Sequence, residues 1–246
     1  MLRKIQRSFA IRGFAPTIKW YITRLFQYLF YYLFSKKRPR DSGCDRDLEF
    51  DRVWGVNTGG TTEPEKSEVV GKSTWIYGSN YQGVDPNILA RVLHELSIDF
   101  ERFTFADFGS GKGRAILVAS SFPFKRIIGV EYSAKLNEIA RQNLQCYPNS
   151  AKRCREIEVV CADATRFPIP DGPLVLFFYN PFGGQAMENA VQNVRLSFLQ
   201  NPRRIIIIYF SPEFANLWKK ADFIQEVKTS QWYRIYDTDD PKKARF

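Results

Sequence analysis

The chain is poor in the residues that hold metals. It has 246 residues but one histidine, His94, and four cysteines, Cys44, Cys146, Cys154 and Cys161, with no CxxC pair. Structural zinc needs several sulfur or imidazole ligands at short spacing, so a zinc fold is not expected. Cysteines without framework spacing argue for free thiols in a reducing compartment. Acidic residues are missing altogether from positions 1–40, which hold Arg3, Lys4, Arg7, Arg12, Lys19, Arg24, Lys36, Lys37, Arg38 and Arg40. Residues 41–246 carry as many acids as bases, so the net charge of +10 belongs to this N-terminal arm. A domain without net charge gives no signature of phosphate-backbone tracking, and a nucleic-acid partner is disfavoured on that ground.

The arm (residues 1–40) reads as basic, aromatic and amphipathic. Within 18–34, Lys19, Thr23, Arg24 and Gln27 fall on one side of a helical wheel and aromatic or aliphatic residues fill the rest. The uncharged run Leu25–Phe34 is half the ~20 apolar residues a spanning helix needs. Two readings stay open: peripheral membrane contact through residues 18–40, with cations on anionic headgroups, or packing of the aromatic face on protein. The expected location is cytoplasmic, with membrane association or organellar targeting by the arm as alternatives.

Residues 41–84 are polar and turn-rich and predict a linker and cap with little regular structure. From 85 onward the pattern becomes periodic. Asp85-Pro86 opens a helix whose Ile88, Leu89, Val92, Leu93 and Leu96 share a face. Strands are predicted at 104–108, 126–130, 156–161, 174–179 and 204–210, with helices at 114–121, 134–145, 186–198 and 215–220. Two strands near 223–228 and 232–237 follow without an intervening helix. Alternation of strand and helix implies parallel pairing, and the last two strands an antiparallel hairpin. The expected fold is therefore α/β: a Rossmann-like, seven-stranded, mostly parallel sheet in residues 85–246, with helices on both faces and an N-terminal amphipathic helical extension.

The segment Asp107-Phe108-Gly109-Ser110-Gly111-Lys112-Gly113-Arg114 carries a strand into a glycine loop that opens a helix. Glycines at alternate positions let backbone turn sharply and approach a ligand closely. A P-loop is excluded, because position 113 is Gly and the leading glycine would fall at Ala106. A dinucleotide fingerprint is excluded by Arg114 at its third glycine. The spacing G-x-G-x-G after Asp107 resembles the first motif of class I S-adenosylmethionine-dependent methyltransferases.

That resemblance extends to three further strand ends. It implies that Glu131 grips the ribose hydroxyls, that Asp163, with Ala164, reads the adenine, and that Asp107, Gly109, Ser110, Gly111 and Gly113 complete a site for S-adenosyl-L-methionine. Asn180-Pro181-Phe182 is similar to the (Asn/Asp)-Pro-Pro-(Tyr/Phe) motif of methyltransferases acting on planar or amide nitrogens, with one proline missing. It implies a catalytic role for Asn180, Pro181 and Phe182. A weaker likeness to seven-strand protein-lysine methyltransferases points to Tyr77 and Tyr81, either as an acceptor channel or as a cover for the cofactor. Lys112 and Arg114 read equally as partners of the methionine carboxylate or as solvated charges, and His94 as a surface or packing residue.

The reading implied by these motifs is a methyltransferase acting on a nitrogen, with a protein side chain or small amine favoured as acceptor. Two alternatives remain: a noncatalytic scaffold of the same fold docked by the arm, and a nicotinamide-dependent oxidoreductase, disfavoured by Arg114.

Overall fold

The computed structural model describes residues 43–62, 69–70 and 80–239. The basic arm and Tyr77 lie outside them. The helices are α1 (Gly43–Trp54), α2 (Pro86–His94), α3 (Arg114–Ser120), α4 (Ala134–Cys146), α5 (Gly184–Gln200) and α6 (Ala215–Lys219). The strands are β1 (Thr61–Thr62), β2 (Tyr81–Gln82), β3 (Thr104–Phe108), β4 (Arg126–Glu131), β5 (Ile157–Cys161), β6 (Leu174–Tyr179), β7 (Ile205–Phe210), β8 (Gln225–Thr229) and β9 (Tyr233–Asp237).

Seven strands form one sheet in the order β5-β4-β3-β6-β7-β9-β8. Every pair from β5 to β7 is parallel, whereas β9 runs antiparallel to both β7 and β8. The order reverses between β3 and β6, the point where open parallel sheets place their ligands. The central strands have no polar face because both faces are covered. In β7, Ile206, Ile208 and Phe210 join a core shared with α2 and α3, while Ile205, Ile207 and Tyr209 join a second core with α5 and α6. The period-two alternation of a strand thus divides one apolar run between two layers. Trp218 of α6 is fully buried in the second layer.

Local chemistry explains the element starts. Asp85 caps α2 by accepting from the backbone N–H groups of Asn87 and Ile88, and Pro86 fills the first turn. Ser133 caps α4 through Leu136 N–H. Within 41–84 the expectation of little regular structure is corrected. Residues Gly43–Trp54 form a helix, and β1 and β2 pair antiparallel. The helix was hidden because its face is charged and its mean hydropathy low. It docks by particular contacts, such as the Trp54 ring 5.0 Å from that of Tyr147, rather than by an apolar stripe. Among the described residues no helix is long and apolar enough to cross a membrane, no cluster suits a metal ion, and Cys146, Cys154 and Cys161 are free thiols.

Candidate active site

The carboxyl ends of β3, β4, β5 and β6 surround a cleft. Gly109, Gly111, Glu131, Asp163, Ala164, Pro181, Phe182 and Tyr81 all line it. Residues far apart in sequence meet because parallel strands place their C-terminal ends side by side.

The glycine loop is built on backbone geometry. Gly109, Gly111 and Gly113 all have left-handed φ, at 89°, 54° and 86°, a region open to glycine at little cost. The N–H groups of Gly109 and Ser110 donate to Val130 O at 2.9 and 3.1 Å, which ties the loop to β4. What crowds the glycines is protein. A Cβ on Gly109 would lie 2.3 Å from Pro181 Cβ, and one on Gly111 2.0 Å from the Tyr81 ring. Gly113 faces Ala140 of α4, with a Cβ there 3.2 Å from the alanine methyl. The close approach of a ligand, expected from spacing, is thus first an approach of the chain to itself.

Glu131 is buried at the end of β4. Its Oε2 accepts from Gly111 N–H at 2.8 Å and its Oε1 from Ser133 N–H at 2.9 Å. Burial pushes its carboxyl up to about 7, against the pull of these backbone donors. The Tyr132 N–H is a third backbone donor to it. Asp163 uses Oδ1 to accept from the N–H and Oγ1 of Thr165, at 2.9 and 2.7 Å, an Asx turn that leaves Oδ2 for another partner. Asp107 and Ser110 do not line the cleft. They border a recess of about 250 Å³ beside it, with Tyr81, Gln82 and Arg114. Asp107 is buried, and burial, followed by the Glu131 carboxylate, raises its carboxyl well above the usual range. The Ser110 hydroxyl is buried without a hydrogen-bond partner.

Lys112 and Arg114 fit neither reading the sequence offered. Lys112 Nζ donates to Gly59 O at 2.8 Å. Arg114, 1% exposed, donates from Nε to Thr58 Oγ1 at 2.7 Å and lies 3.4 Å from Asp51 Oδ1. Both cations are buried and hold the segment ahead of the sheet. The reason is placement: Arg114 is the first residue of α3, and its side chain faces α1 rather than solvent.

The β6 end is assembled differently. Pro181 and Phe182 line the cleft, and Tyr179, which sequence reasoning did not single out, lines it beside them. Asn180 is not in the lining. It sits at φ 40°, and its side chain is engaged behind the wall: Tyr209 O–H donates to Oδ1 and Nδ2 donates to Glu213 Oε2, both at 3.3 Å. Ser211 at the end of β7 also has left-handed φ, 48°, and like Asn180 precedes a proline. Tyr132, Thr165, Gln82 and Leu136 also line the cleft and were missed. Tyr132 and Thr165 adjoin motif residues, a signal available in the sequence; Gln82 and Leu136 become neighbours only by folding. His94 is exposed on α2, with its ring 4.8 Å from that of Phe122, far from any role at the cleft.

A methyltransferase-domain family matches residues 106–180, the span from β3 to Asn180. Over this span the chain carries a methyltransferase domain. Its cofactor is S-adenosylmethionine, and the cleft fits it: two carboxylates stand at the ends of adjacent strands. No curated protein matches the sequence. Its fold is similar to that of a predicted N6-adenine-specific DNA methylase from Listeria monocytogenes, at 17% identity and a TM-score of 0.48, covering 64% of this chain and 52% of that one. It is also similar to a ribosomal protein L11 methylase from Lactobacillus delbrueckii subsp. bulgaricus (14%, TM-score 0.45, 64% and 79%). A third similar structure is an RNA methyltransferase from Salinibacter ruber in complex with S-adenosylhomocysteine (16%, TM-score 0.39, 61% and 88%). The chain spans about half the length of the Listeria protein.

These structures correct the ranking of acceptors drawn from charge. Methylases of DNA, RNA and ribosomal protein occur side by side among them, so a charge-neutral domain does not set nucleic acid behind protein or small amines. The physical reason is that net charge is a sum, whereas an acceptor meets only the local field at the cleft mouth.

Proposed function

We propose that the protein is an active methyltransferase that places its methyl group on a nitrogen of a planar acceptor group. The observation that carries this is the two-ended cleft. One end offers the carboxylates of Glu131 and Asp163 and the backbone of the glycine loop. The other is walled by Tyr179, Pro181 and Phe182. When bound, S-adenosylmethionine supplies a sulfonium methyl that is already a strong electrophile.

The protein's own residues then have three tasks. Glu131 and Asp163 bind and orient the cofactor through hydrogen bonds that carboxylates accept well. Phe182 and Tyr179 offer flat apolar surface to a planar acceptor and exclude water beside it. Asn180, fixed from behind by Tyr209 and Glu213, sets the turn that brings Pro181 against Gly109. Alignment of this kind supplies up to ~7–11 kcal/mol of a methyl-transfer barrier. Tyr209 is a donor and not a base in this arrangement: burial raises its hydroxyl far above the ordinary tyrosine range, so it keeps its proton.

Incubation of the protein with methyl-labelled S-adenosylmethionine and fractionated lysate tests the proposal. Label recovered as an N-methyl group in the protein, RNA, DNA or small-molecule fraction supports it and names the class of acceptor. Label on oxygen or carbon overturns the nitrogen assignment. Absence of label in every fraction, with cofactor bound, favours the scaffold.

A further inference from the structure

The segment ahead of the sheet makes close polar contacts with Lys112, Arg114 and α4. Asp51 is the hub. Its Oδ2 accepts from the N–H groups of Thr58 and Gly59, at 2.7 and 2.6 Å, and its Oδ1 accepts from Thr58 Oγ1. Thr58 is fully buried, and its hydroxyl accepts in turn from Arg114 Nε. The guanidinium is closely packed: the Phe50 ring lies 5.4 Å from Cζ, and a Cβ on Gly83 would lie 3.0 Å from it. Asn57 is held as firmly, by exchange of two hydrogen bonds with Asn143 of α4, at 2.7 and 2.9 Å.

This strap ends on Tyr81. The Tyr81 hydroxyl donates to Thr58 O. The Tyr81 ring lies across Gly111, lines both the cleft and the recess beside it, and carries Lys112 Nζ 5.4 Å from its centroid. Lys112 is itself anchored on Gly59 O. Tyr81 is thus reached from the strap by two routes, through Thr58 and through Gly59 with Lys112.

We propose that Asp51, Thr58 and Arg114 are positioning residues that set Tyr81 as the lid of the cofactor cleft, so that the strap at 51–59 belongs functionally to the cofactor site. The inference rests on the reading of the cleft as an S-adenosylmethionine site. A buried guanidinium paired with a carboxylate is a costly way to hold a segment, because each ion must be desolvated and neither can be removed alone. Such a device gains its worth when it fixes a geometry, here the plane of one ring over the glycine loop.

The test is titration calorimetry with S-adenosylhomocysteine on the full chain, together with the melting temperature of the unliganded protein. Asp51→Asn is expected to weaken binding about tenfold and Thr58→Val, which leaves the Arg114–Asp51 pair in place, about threefold. In a Tyr81→Ala background both substitutions are expected to have no further effect on affinity, since they act through that ring. Unchanged affinity in Thr58→Val overturns the proposal, as does a full additional loss in the Tyr81→Ala background. A clamp that is merely structural would lower the melting temperature and leave affinity unmoved. Failure of the unaltered protein to bind S-adenosylhomocysteine is a distinct result: it overturns the cofactor reading itself and the lid with it.

Discussion

The two ends of the cleft are built on different principles. The cofactor end uses backbone: left-handed glycines, N–H groups donating to Val130 O, and a carboxylate that takes its hydrogen bonds from neighbouring amides. Its parts lie at strand ends, each within a few residues of a motif. The acceptor end uses side chains from strands distant in sequence. Asn180 of the β6 end is held by Tyr209 and Glu213 of the β7 end, and both strand ends carry a non-glycine residue at left-handed φ. The two ends meet where Pro181 lies against Gly109. A backbone site fixes a ligand common to many proteins, while a side-chain site is free to vary with the acceptor.

The largest expected effect breaks the cofactor end alone. Gly111→Val would drive a branched side chain into the Tyr81 ring at a φ that valine avoids. Binding of S-adenosylhomocysteine by calorimetry is expected to fall by at least about a hundredfold, on the order of 3 kcal/mol. Retained affinity would show that ring and loop can part without cost, and that the cofactor end is less rigid than its geometry implies.

A smaller effect sharpens the role of Glu131. Its carboxyl is pushed up to about 7 in the unliganded protein. The ionised form accepts hydroxyl donors best, so affinity for S-adenosylhomocysteine is expected to weaken by up to about tenfold per pH unit below that value. Folding stability runs the other way. A carboxyl whose folded value is raised binds more protons folded than unfolded, so this group's stabilisation is fullest at acid pH and is lost as pH rises towards about 7. Glu131→Gln should flatten both profiles. An affinity that stays constant between pH 8 and 6 in the unaltered protein argues against Glu131 as a cofactor ligand.

The smallest effect isolates the acceptor end. Asn180→Gly keeps a residue tolerant of φ 40° and removes the amide held by Tyr209 and Glu213. The turnover number is expected to drop about tenfold while cofactor affinity stays within about twofold, the pattern of a group that acts through alignment. An equal loss in cofactor affinity would mean that the two ends are one mechanical unit, joined through Pro181 and Gly109.

Much of the sheet was legible because its rules are local. The apolar runs predicted as strands at 104–108, 174–179 and 204–210 are strands with those bounds or within a residue of them, since short apolar runs that alternate with helices fit strands buried on both faces. The missed helix Gly43–Trp54 and the roles of Lys112 and Arg114 share one cause. Charged residues were read as solvated, which holds unless a partner is folded against them, and Asp51 and Gly59 are 63 and 53 residues away from Arg114 and Lys112. Asn180 illustrates the converse. Its identity and its turn could be read from the chain, but the engagement of its amide by Tyr209 required β7 to lie beside β6.

By itself the sequence determined the order of strands and helices from residue 85 onward, the glycine loop with its spacing, and which carboxylates end which strands, because these depend on periodicity and on residue types fixed in the chain. Only the tertiary structure decided what faces what: that Tyr81 and Pro181, before any ligand, occupy the space the glycines leave, that Arg114 is buried in a strap, and that Asn180 stands behind the wall of the cleft. Those facts depend on contacts across many residues of intervening chain, and such contacts leave no periodic mark along it.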